Sequence, residues 1–316
     1  MDNVLVPLEI NSNGCSQEVF NFILASKSDN TRRAYSAVWK HYANWCERNG
    51  RSPFTPSPIL IAEYLSYCAN SLGRSSIQTR IAAINYAHKL KGNIVDPAII
   101  KSVWQGIRRT KAHDPIHQKE PITLTLMRTI LQAFTGSTLR DIRDKAILLI
   151  GFAGAFRRSE LVNIKMEDMK LGDNGYVINL ITSKTDQEGN GEIKGIPYGQ
   201  SPFTCPVIAL RKWLELSGII DGAVFRRIDR HGNIYESLTD QSIAKIIKKR
   251  CGAVGIITTE IAGHSLRSGF VTTAIEHGVP THAIMRQTGH KKEETLRRYI
   301  RLGTVFQGNA ASQIGM

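Results

Sequence analysis

The chain has 316 residues, of which 42% are hydrophobic and 22% are charged, as is ordinary for a globular protein. This composition excludes a disordered tail, a collagen-like fibre and a disulfide scaffold. Lysine and arginine outnumber aspartate and glutamate by 41 to 27, which gives a formal net charge of +14. A surplus of this size favours polyanionic partners, either nucleic acid or an anionic membrane surface.

No segment of the sequence predicts a membrane span or a secretion signal. The longest apolar run, Ala146 to Phe156, has 11 residues and is too short to cross a bilayer. The N-terminus carries no basic residue ahead of its apolar stretch, unlike a signal peptide. The five cysteines contain no CxxC pair, which argues against a zinc site and a disulfide framework. We therefore expect a cytoplasmic protein with no metal and no cofactor.

The first third of the chain is predicted to be helical. Apolar side chains recur at helical spacing in four segments, which begin near Ser28, Pro58, Ser76 and Asp96. The last segment ends in a basic run, and a polar stretch with two prolines follows it. The predicted organisation is a short N-terminal segment (1–14), a helical domain (15–111) and a linker (112–121).

The rest of the chain is predicted to combine helices with a small antiparallel sheet. Helical patterns occupy residues 123–134, 139–155, 206–217, 239–251, 264–277, 280–287 and 292–301. Two strand-like stretches, 176–181 and 193–198, are joined by a turn-rich link. The predicted fold class is therefore mainly α with two domains, the second an α+β domain (122–301) followed by a C-terminal tail (302–316).

Two short motifs in this second domain pair an arginine with another polar group. In FRRSEL (156–161), Arg157 and Glu160 are three residues apart and can bond each other on a helix. Taken alone, this spacing most often means a weak surface ion pair. In GHSLRSGF (263–270), His264 and Arg267 share one helical face, and such a histidine most often caps or packs a helix.

A third motif, TGHKKEETLRRYIR, ends the domain. His290 opens a predicted helix on which Tyr299 lies nine residues later. A tyrosine in an amphipathic helix is usually a core residue. None of the three motifs identifies a function by itself, so their order and spacing have to be considered together.

Together the motifs resemble the signature of the tyrosine recombinases, the phage-integrase family, of the Cre or Xer type. The runs AGAFRRSEL, AGHSLRSG and RYIR carry the resemblance in the second domain, and a T-R-x-A-Y…W-C stretch carries it in the first. The resemblance extends over nearly the whole chain. It implies a site-specific DNA recombinase with a helical core DNA-binding domain, a catalytic domain and a tail that contacts a neighbouring protomer.

For the residues, the resemblance implies metal-free and ATP-free cleavage of DNA. Tyr299 is the expected nucleophile, which forms a 3′-phosphotyrosine bond and frees a 5′ hydroxyl. Arg157 and Arg267 are expected to present forked donors to the phosphate oxygens. His264 is the candidate general acid–base, and His290 is expected to add a donor to the phosphate.

The resemblance also implies a lysine on the hairpin that protonates the departing 5′ oxygen. Lys184, in the run ITSKT, fits this role best, and Lys194 across the hairpin is the alternative. Glu160 has no evident proton to move, so we expect it to orient the arginines or His264.

Finally, the resemblance implies a clamp around double-stranded DNA with inverted-repeat sites, and a tetramer assembled on two such sites. The candidates for phosphate contacts are Arg32, Arg33, Arg74, Arg80, Lys89, Lys111 and Lys119. A solvated helix face is the alternative explanation for each of them. The expected setting is the nucleoid of a bacterium, or a plasmid or phage. Type IB topoisomerase-like relaxation of DNA and a DNA-binding module without catalysis remain the alternative functions.

Overall fold

The computed structural model describes residues 16–114, 119–134, 138–180 and 191–296, together with Tyr299. The chain forms two compact units, Met1–Ile116 and His117–Met316. The division falls within the stretch 112–121 that the sequence marks as a linker. In the described ranges, no helix combines the length and the apolar character needed to cross a membrane.

The described part of the first unit consists of five helices. They are α1 (Gln17–Ala25), α2 (Asp29–Arg48), α3 (Pro58–Ala69), α4 (Arg74–Leu90) and α5 (Pro97–Thr110). The side chains of Ser28, Ser57 and Asp96 cap α2, α3 and α5. These caps satisfy backbone N–H groups that have no partner inside the helix, which fixes where each helix begins. Helix α1 is not among the elements that the sequence pattern predicts.

An aromatic cluster forms the centre of the first unit. Trp39, Tyr42 and Tyr64 are almost completely buried. The ring centroids of Tyr42 and Tyr64 are 4.9 Å apart, and those of Trp39 and Tyr42 are 5.6 Å apart. Contacts of this kind add to the free energy gained from burying the apolar surface. They hold α2 against α3 inside the unit.

The described part of the second unit contains seven α-helices. They are α6 (Leu124–Gln132), α7 (Leu139–Ala153), α8 (Arg158–Val162), α9 (Pro206–Ser217), α10 (Asp240–Gly252), α11 (Ser265–Glu276) and α12 (Thr281–Thr288). Helix α7 lies at the centre, because all nine positions from Arg143 to Gly151 except Lys145 are buried. Its end therefore leads directly from the core towards the candidate site.

The second unit also holds two small antiparallel sheets. Strands β1 (Met169–Gly172), β2 (Gly175–Leu180) and β3 (Glu192–Pro197) pair in chain order, and β4 (Arg226–Ile228) pairs with β5 (Ile234–Ser237). Strands β2 and β3 are the two predicted strands. Strands β1, β4 and β5 escape the sequence pattern because each has only three or four residues, few of them buried. The predicted fold class, mainly α with a small antiparallel sheet, is confirmed.

One predicted helix begins differently in the structure. Gly289 adopts a left-handed conformation (φ 68°) that ends α12, and a single 3-10 turn follows at Glu293–Thr295. The sequence pattern predicts a continuous helix from residue 292. Tyr299, near its end, is helical.

Candidate active site

A strained turn after α7 forms one wall of the candidate site. Ala155 has φ 46°, and it is the only residue other than glycine with a positive φ in the described ranges. For an alanine this conformation costs about 1 kcal/mol. The turn directs the carbonyl of Ala155 to Arg267, whose Nη1 donates to it at 2.8 Å. It also places Arg157 immediately before α8.

Arg157 and Glu160 are bonded to each other, as the sequence predicts. The backbone N–H of Arg157 donates to Glu160 Oε2 at 2.8 Å, and its Nη1 donates to Oε1. Arg157 is the N-cap of α8 and not a helical residue, so the pair meets across the helix start. The Glu160 side chain is 1% exposed and that of Arg157 is 13% exposed. The buried carboxylate of Glu160 therefore holds the Arg157 guanidinium in place, while part of that guanidinium stays exposed to solvent.

Arg267 lies in the first turn of α11 and is buried. Besides Ala155, it donates through Nη2 to the carbonyl of Thr288 and, at 3.2 Å, to Nε2 of His290. Burial, followed by the charge of Arg157, lowers the pKa of the Arg267 guanidinium to about 10. The group is still a cation at neutral pH, so two arginine charges face the same region.

His264 is the N-cap of α11, three residues before Arg267, and its side chain is exposed. Its backbone carbonyl accepts the N–H of Ser268 at 2.9 Å. Gly269 allows α11 to pack closely against the backbone of Ile122, because a side chain at that position would overlap it. His264 thus lies at the solvent edge of the helix that carries the buried arginine.

His290 completes the wall opposite the turn. Its Nδ1 lies 2.8 Å from Thr288 Oγ1, and its Nε2 faces Arg267. Burial, and then the charges of Arg267, Arg157 and Lys194, lower the pKa of His290 to about 4. The imidazole is therefore neutral at pH 7.

Tyr299 is half-buried and packs against a small apolar cluster that includes Val271, Ile284 and Leu296. It is close enough to Arg267 to raise the pKa of that guanidinium. The described residues thus bring Arg157, Arg267, His290 and Tyr299 into one neighbourhood. Lys184 lies outside the described residues.

Lys194 lies inside the same neighbourhood. Its side chain is 1% exposed, and Nζ donates to Glu192 Oε1 at 2.9 Å and to the carbonyl of Gln287. Nζ also lies 5.6 Å from the ring centroid of Phe156. Burial lowers the pKa of the ammonium group. Lys194 therefore joins β3 to the end of α12, the helix that leads into His290.

Glu192 and Gln287 are the residues of this neighbourhood that the sequence motifs do not reveal. Gln287 Nε2 donates to the carbonyls of Ala153 and Gly195, at 2.8 and 3.0 Å. A usable signal exists for Lys194, since strand alternation puts it on the same inward face as Ile196. No comparable signal marks Gln287, because its role depends on which carbonyls the fold brings to it.

The site can present several fixed positive donors to an anion. Two guanidinium groups and a buried ammonium group surround a neutral imidazole, and two carboxylates hold two of the cations in place. In the described ranges, no group of three or more histidine, cysteine or acidic side chains is arranged to hold a metal ion. Donors preorganised in this way stabilise charge that develops on a reacting phosphate.

The seven candidate DNA contacts differ in their surroundings. Arg33 and Lys89 are exposed, and Arg74 and Arg80 are partly buried. Three of the seven already have a partner: Arg32 pairs with Asp29, Lys111 with Asp114 at 3.1 Å, and Lys119 donates to the carbonyl of Thr259 at 2.7 Å.

Arg74 shares a cavity with two arginines that are absent from the predicted set. Arg108 and Arg109, in the last turn of α5, line this cavity together with Arg74 at the start of α4. The basic run at 108–111 was visible in the sequence as the end of a helix. Only the fold shows that it meets a third arginine from another helix.

Known proteins resemble this chain along most of its length. A family model described as the Phage integrase family matches residues 122–304. An integrase/recombinase xerD homolog of Selenomonas ruminantium is 37% identical over 295 residues, which cover 92% of this chain and 86% of that protein. The tyrosine recombinase XerC of Leptospira interrogans is 23% identical over 297 residues, covering 91% and 88%.

Two solved structures share the fold. The XerH site-specific recombinase, in a post-cleavage complex with palindromic difH substrate, gives a TM-score of 0.66 at 15% identity, with 100% of this chain and 92% of that chain covered. A lambda integrase dimer bound to a COC' core site gives 0.58 at 17% identity, with 90% and 75% covered.

Proposed function

This chain is a tyrosine recombinase of the phage integrase family, and from that premise we propose that it cleaves and rejoins DNA through a 3′-phosphotyrosine intermediate, as a tetramer on two recombination sites. The observation that carries the proposal is that Tyr299 lies within electrostatic range of the Arg267 guanidinium, which also faces Arg157 and His290. A phenol next to fixed guanidinium groups is suited to attack on a phosphodiester.

In the proposed step, Tyr299 Oη bonds to phosphorus and the bond to the 5′ oxygen breaks. The phenol loses its proton and the 5′ oxygen gains one. The phosphate group therefore carries a single negative charge both before and after cleavage. Arg157 and Arg267 stabilise the charge that grows on the non-bridging oxygens. The phosphotyrosine retains the energy of the ester, so attack by another 5′ hydroxyl rejoins the strand without ATP.

The protons need an acceptor and a donor. His264, at the exposed start of α11, is the proposed acid–base group. Lys184 is the proposed donor to the departing oxygen. Glu160 uses both carboxylate oxygens on Arg157, so we assign it the task of orienting that guanidinium.

The positive charge of the chain supports binding to double-stranded DNA. In the first unit, Arg74, Arg108 and Arg109 around one cavity give a compact set of phosphate donors. Arg33 and Lys89 are exposed and available as well. The XerH and lambda integrase structures are complexes with DNA. By analogy, we infer inverted-repeat sites, assembly on them, and action on DNA in the bacterial cytoplasm.

Covalent trapping tests the proposal. The full chain is incubated with random-sequence duplexes that carry a nick, so that the cleaved end diffuses away, and detergent-stable adducts are sequenced and mapped. We expect adducts on a shared inverted-repeat motif, attached through Tyr299. Tyr299→Phe should abolish the adduct and leave DNA binding intact, because only the hydroxyl is removed.

The matched control is Tyr198→Phe, which makes the same change at a tyrosine that is 43% exposed. This variant should form adducts at the wild-type rate. Adducts without sequence preference would favour topoisomerase-like relaxation of DNA. Salt-sensitive binding without any adduct would favour a DNA-binding module.

A further inference from the structure

The side chain of Gln287 lies where three elements of the second unit meet. Gln287 is the last but one residue of α12, and its Nε2 lies 2.8 Å from the carbonyl oxygen of Ala153 and 3.0 Å from that of Gly195. Ala153 ends α7, and Gly195 belongs to β3. The backbone carbonyl of Gln287 accepts from Nζ of Lys194, which is also on β3. One residue of α12 is therefore bonded to both α7 and β3.

The chemistry of the acceptors fixes the orientation of the Gln287 amide. A carbonyl oxygen can only accept a hydrogen bond, so the amide atom that faces both carbonyls must be the nitrogen and not Oε1. The nitrogen carries two protons, and each of the two carbonyls receives one. Both donors of the side chain are thus used inside the protein.

The bond to Ala153 supplies a donor that α7 itself does not provide. The last carbonyls of a helix have no partner within it. The three amides that follow Ala153, at positions 154–156, donate to carbonyls further back in α7, and none of the three donates to Ala153. Gln287 donates to that carbonyl instead. The bond therefore secures the point at which the chain leaves α7 and enters the turn.

This turn positions both arginines of the candidate site. Two residues after Ala153, the strained Ala155 directs its carbonyl to Nη1 of Arg267. Four residues after Ala153, Arg157 precedes α8 as its N-cap. A displacement of Ala153 would therefore change the positions of both guanidinium groups.

The bonds to β3 hold the three-stranded sheet against α12. Within the described ranges β3 pairs with β2 alone, so part of its backbone is available to other elements. Lys194 donates to the carbonyl of Gln287, and the neighbouring Gly195 accepts from its amide. The two bonds run in opposite directions between adjacent residues of β3 and one residue of α12. They fix β3 against the end of the helix that leads to His290.

We propose that Gln287 is a positioning residue, which holds the turn after α7 so that Arg157 and Arg267 are correctly placed for the cleavage step. It acts through these two arginines and not on the phosphate itself. The effect on cleavage rests on the proposed function, whereas the stabilisation of the turn does not.

Hydrogen–deuterium exchange measures the stability of the turn in the full chain without DNA. The amides at 154–157 are all hydrogen-bonded, so they exchange only when the turn opens. Gln287→Met has nearly the same length and no donor, and we expect these amides to exchange about fivefold faster, as for the loss of one hydrogen bond. Gln287→Glu keeps the shape, and its carboxylate is repelled by both carbonyl oxygens, so the effect should be at least as large.

The rate of adduct formation on nicked DNA, measured over a range of DNA concentrations, gives the second readout. Gln287→Met should lower the rate at saturating DNA on the order of tenfold, because the two guanidinium groups are less precisely placed. The DNA concentration that gives half of that rate should stay within about twofold of the wild type, because the lost interaction serves the transition state. Partial unfolding would instead lower the amount of adduct and leave its rate constant unchanged.

Gln241→Met is the matched control, since Gln241 is an exposed glutamine on α10. This variant should match the wild type in both measurements. If Gln287→Met does not fold, Gln287→Glu supplies both measurements in its place.

The outcomes separate this proposal from the proposed function. Wild-type exchange at 154–157 in Gln287→Met and Gln287→Glu overturns the proposal. Faster exchange with an unchanged rate at saturating DNA overturns it as well, and so does a weaker affinity for DNA as the only effect. If the wild type itself forms no adduct, the proposed function fails, but the exchange rates still decide whether Gln287 holds the turn.

Discussion

At the scale of single residues, His290 shows how a site rich in cations makes the stability of the fold depend on pH. Its pKa is about 4 in the folded chain, against 6.5 for an ordinary histidine. Between these two values the unfolded chain binds a proton that the folded chain excludes. Stability therefore falls as the pH decreases from about 6.5 towards 4.

Replacing His290 removes this source of pH dependence. We expect the melting temperature of His290→Gln to fall less than that of the wild type between pH 7 and pH 5. His282, exposed on α12, offers a matched control, and His282→Gln should follow the wild type. Equal drops for His290→Gln and the wild type would contradict a strongly lowered pKa at this position.

The roles of the two candidate lysines, Lys184 and Lys194, can be distinguished by changing the leaving group of the DNA substrate. A sulfur in place of the 5′ oxygen leaves as a thiolate, whose conjugate acid has a pKa near 8.5, so it needs no proton donor. Lys184→Ala should slow adduct formation on ordinary DNA by about 10²-fold or more, and the sulfur substrate should restore most of the rate. Lys194→Met should stay slow on both substrates, because Lys194 holds Gln287 and Glu192 in place.

The reverse result would exchange the two roles. If the sulfur substrate restores Lys194→Met and not Lys184→Ala, Lys194 is the proton donor.

Sequence reasoning reached part of the site at this scale. It found the Arg157–Glu160 pair and named Arg267, His290 and Tyr299, because these residues stand in compact motifs. It could not find Thr288 as a partner of His290, because only the fold shows that its buried hydroxyl lies 2.8 Å from Nδ1 of that ring. Nor could it show that Ala155 adopts a positive φ, because the sequence has an alanine where such a turn favours glycine.

At the scale of elements, a buried ionic cluster ties α7 to α10. Asp144 is 1% exposed, and its Oδ1 accepts from Arg143 at 3.0 and 2.7 Å. Its Oδ2 accepts from Arg250 at 2.8 and 2.6 Å. All four bonds are charge-assisted, so the carboxylate is fully used. The cluster lies in the helix whose end forms the turn at Ala155.

Removing this charge should be costly. Asp144→Asn keeps the shape but leaves the buried guanidinium of Arg143 without its carboxylate, and Arg250, which is partly buried, with only Asp141 at 2.7 Å. We therefore expect a loss of about 3 kcal/mol in the free energy of unfolding. Asp221→Asn is the control, because Asp221 pairs with Arg226 at 3.3 Å while 81% exposed, and it should cost less than about 1 kcal/mol. Urea denaturation measures both. Similar losses in the two variants would show that the Asp144 cluster adds little to the free energy of unfolding.

The helices were more predictable than the strands. Apolar spacing, the caps at Ser28 and Thr239, and a proline in the first turn at Pro206 indicate helices that the structure places within one or two residues. Helix α1 was missed although Val19, Phe22 and Ile23 have helical spacing, and two of these side chains, Val19 and Phe22, are exposed in the structure. Strand β1 was missed because its side chains face solvent.

At the scale of the whole molecule, the charge of +14 sets how binding to DNA responds to salt. Each phosphate contact releases counterions, so the logarithm of the affinity falls with the logarithm of the salt concentration, by about 0.9 per contact. We expect Arg108→Ala/Arg109→Ala to reduce this slope by about two. Fluorescence anisotropy over a series of salt concentrations measures it.

Arg227→Ala is the control for this experiment. Arg227 lies over the ring of Tyr235, 4.4 Å from its centroid, and 3.9 Å from Glu236. Its removal should change the slope by less than one. An unchanged slope in the double variant would exclude the cavity in the first unit as a contact for phosphates.

The net charge of the candidate site determines which kind of phosphate group it can accommodate. Among the described residues, three cations (Arg157, Arg267 and Lys194) share the site with two carboxylates (Glu160 and Glu192) and a neutral imidazole. This leaves an excess of one positive charge in a largely buried space. One phosphodiester carries one negative charge and balances that excess. A phosphate monoester, with nearly two, would reverse it, so the site favours an internal DNA linkage over a phosphorylated end.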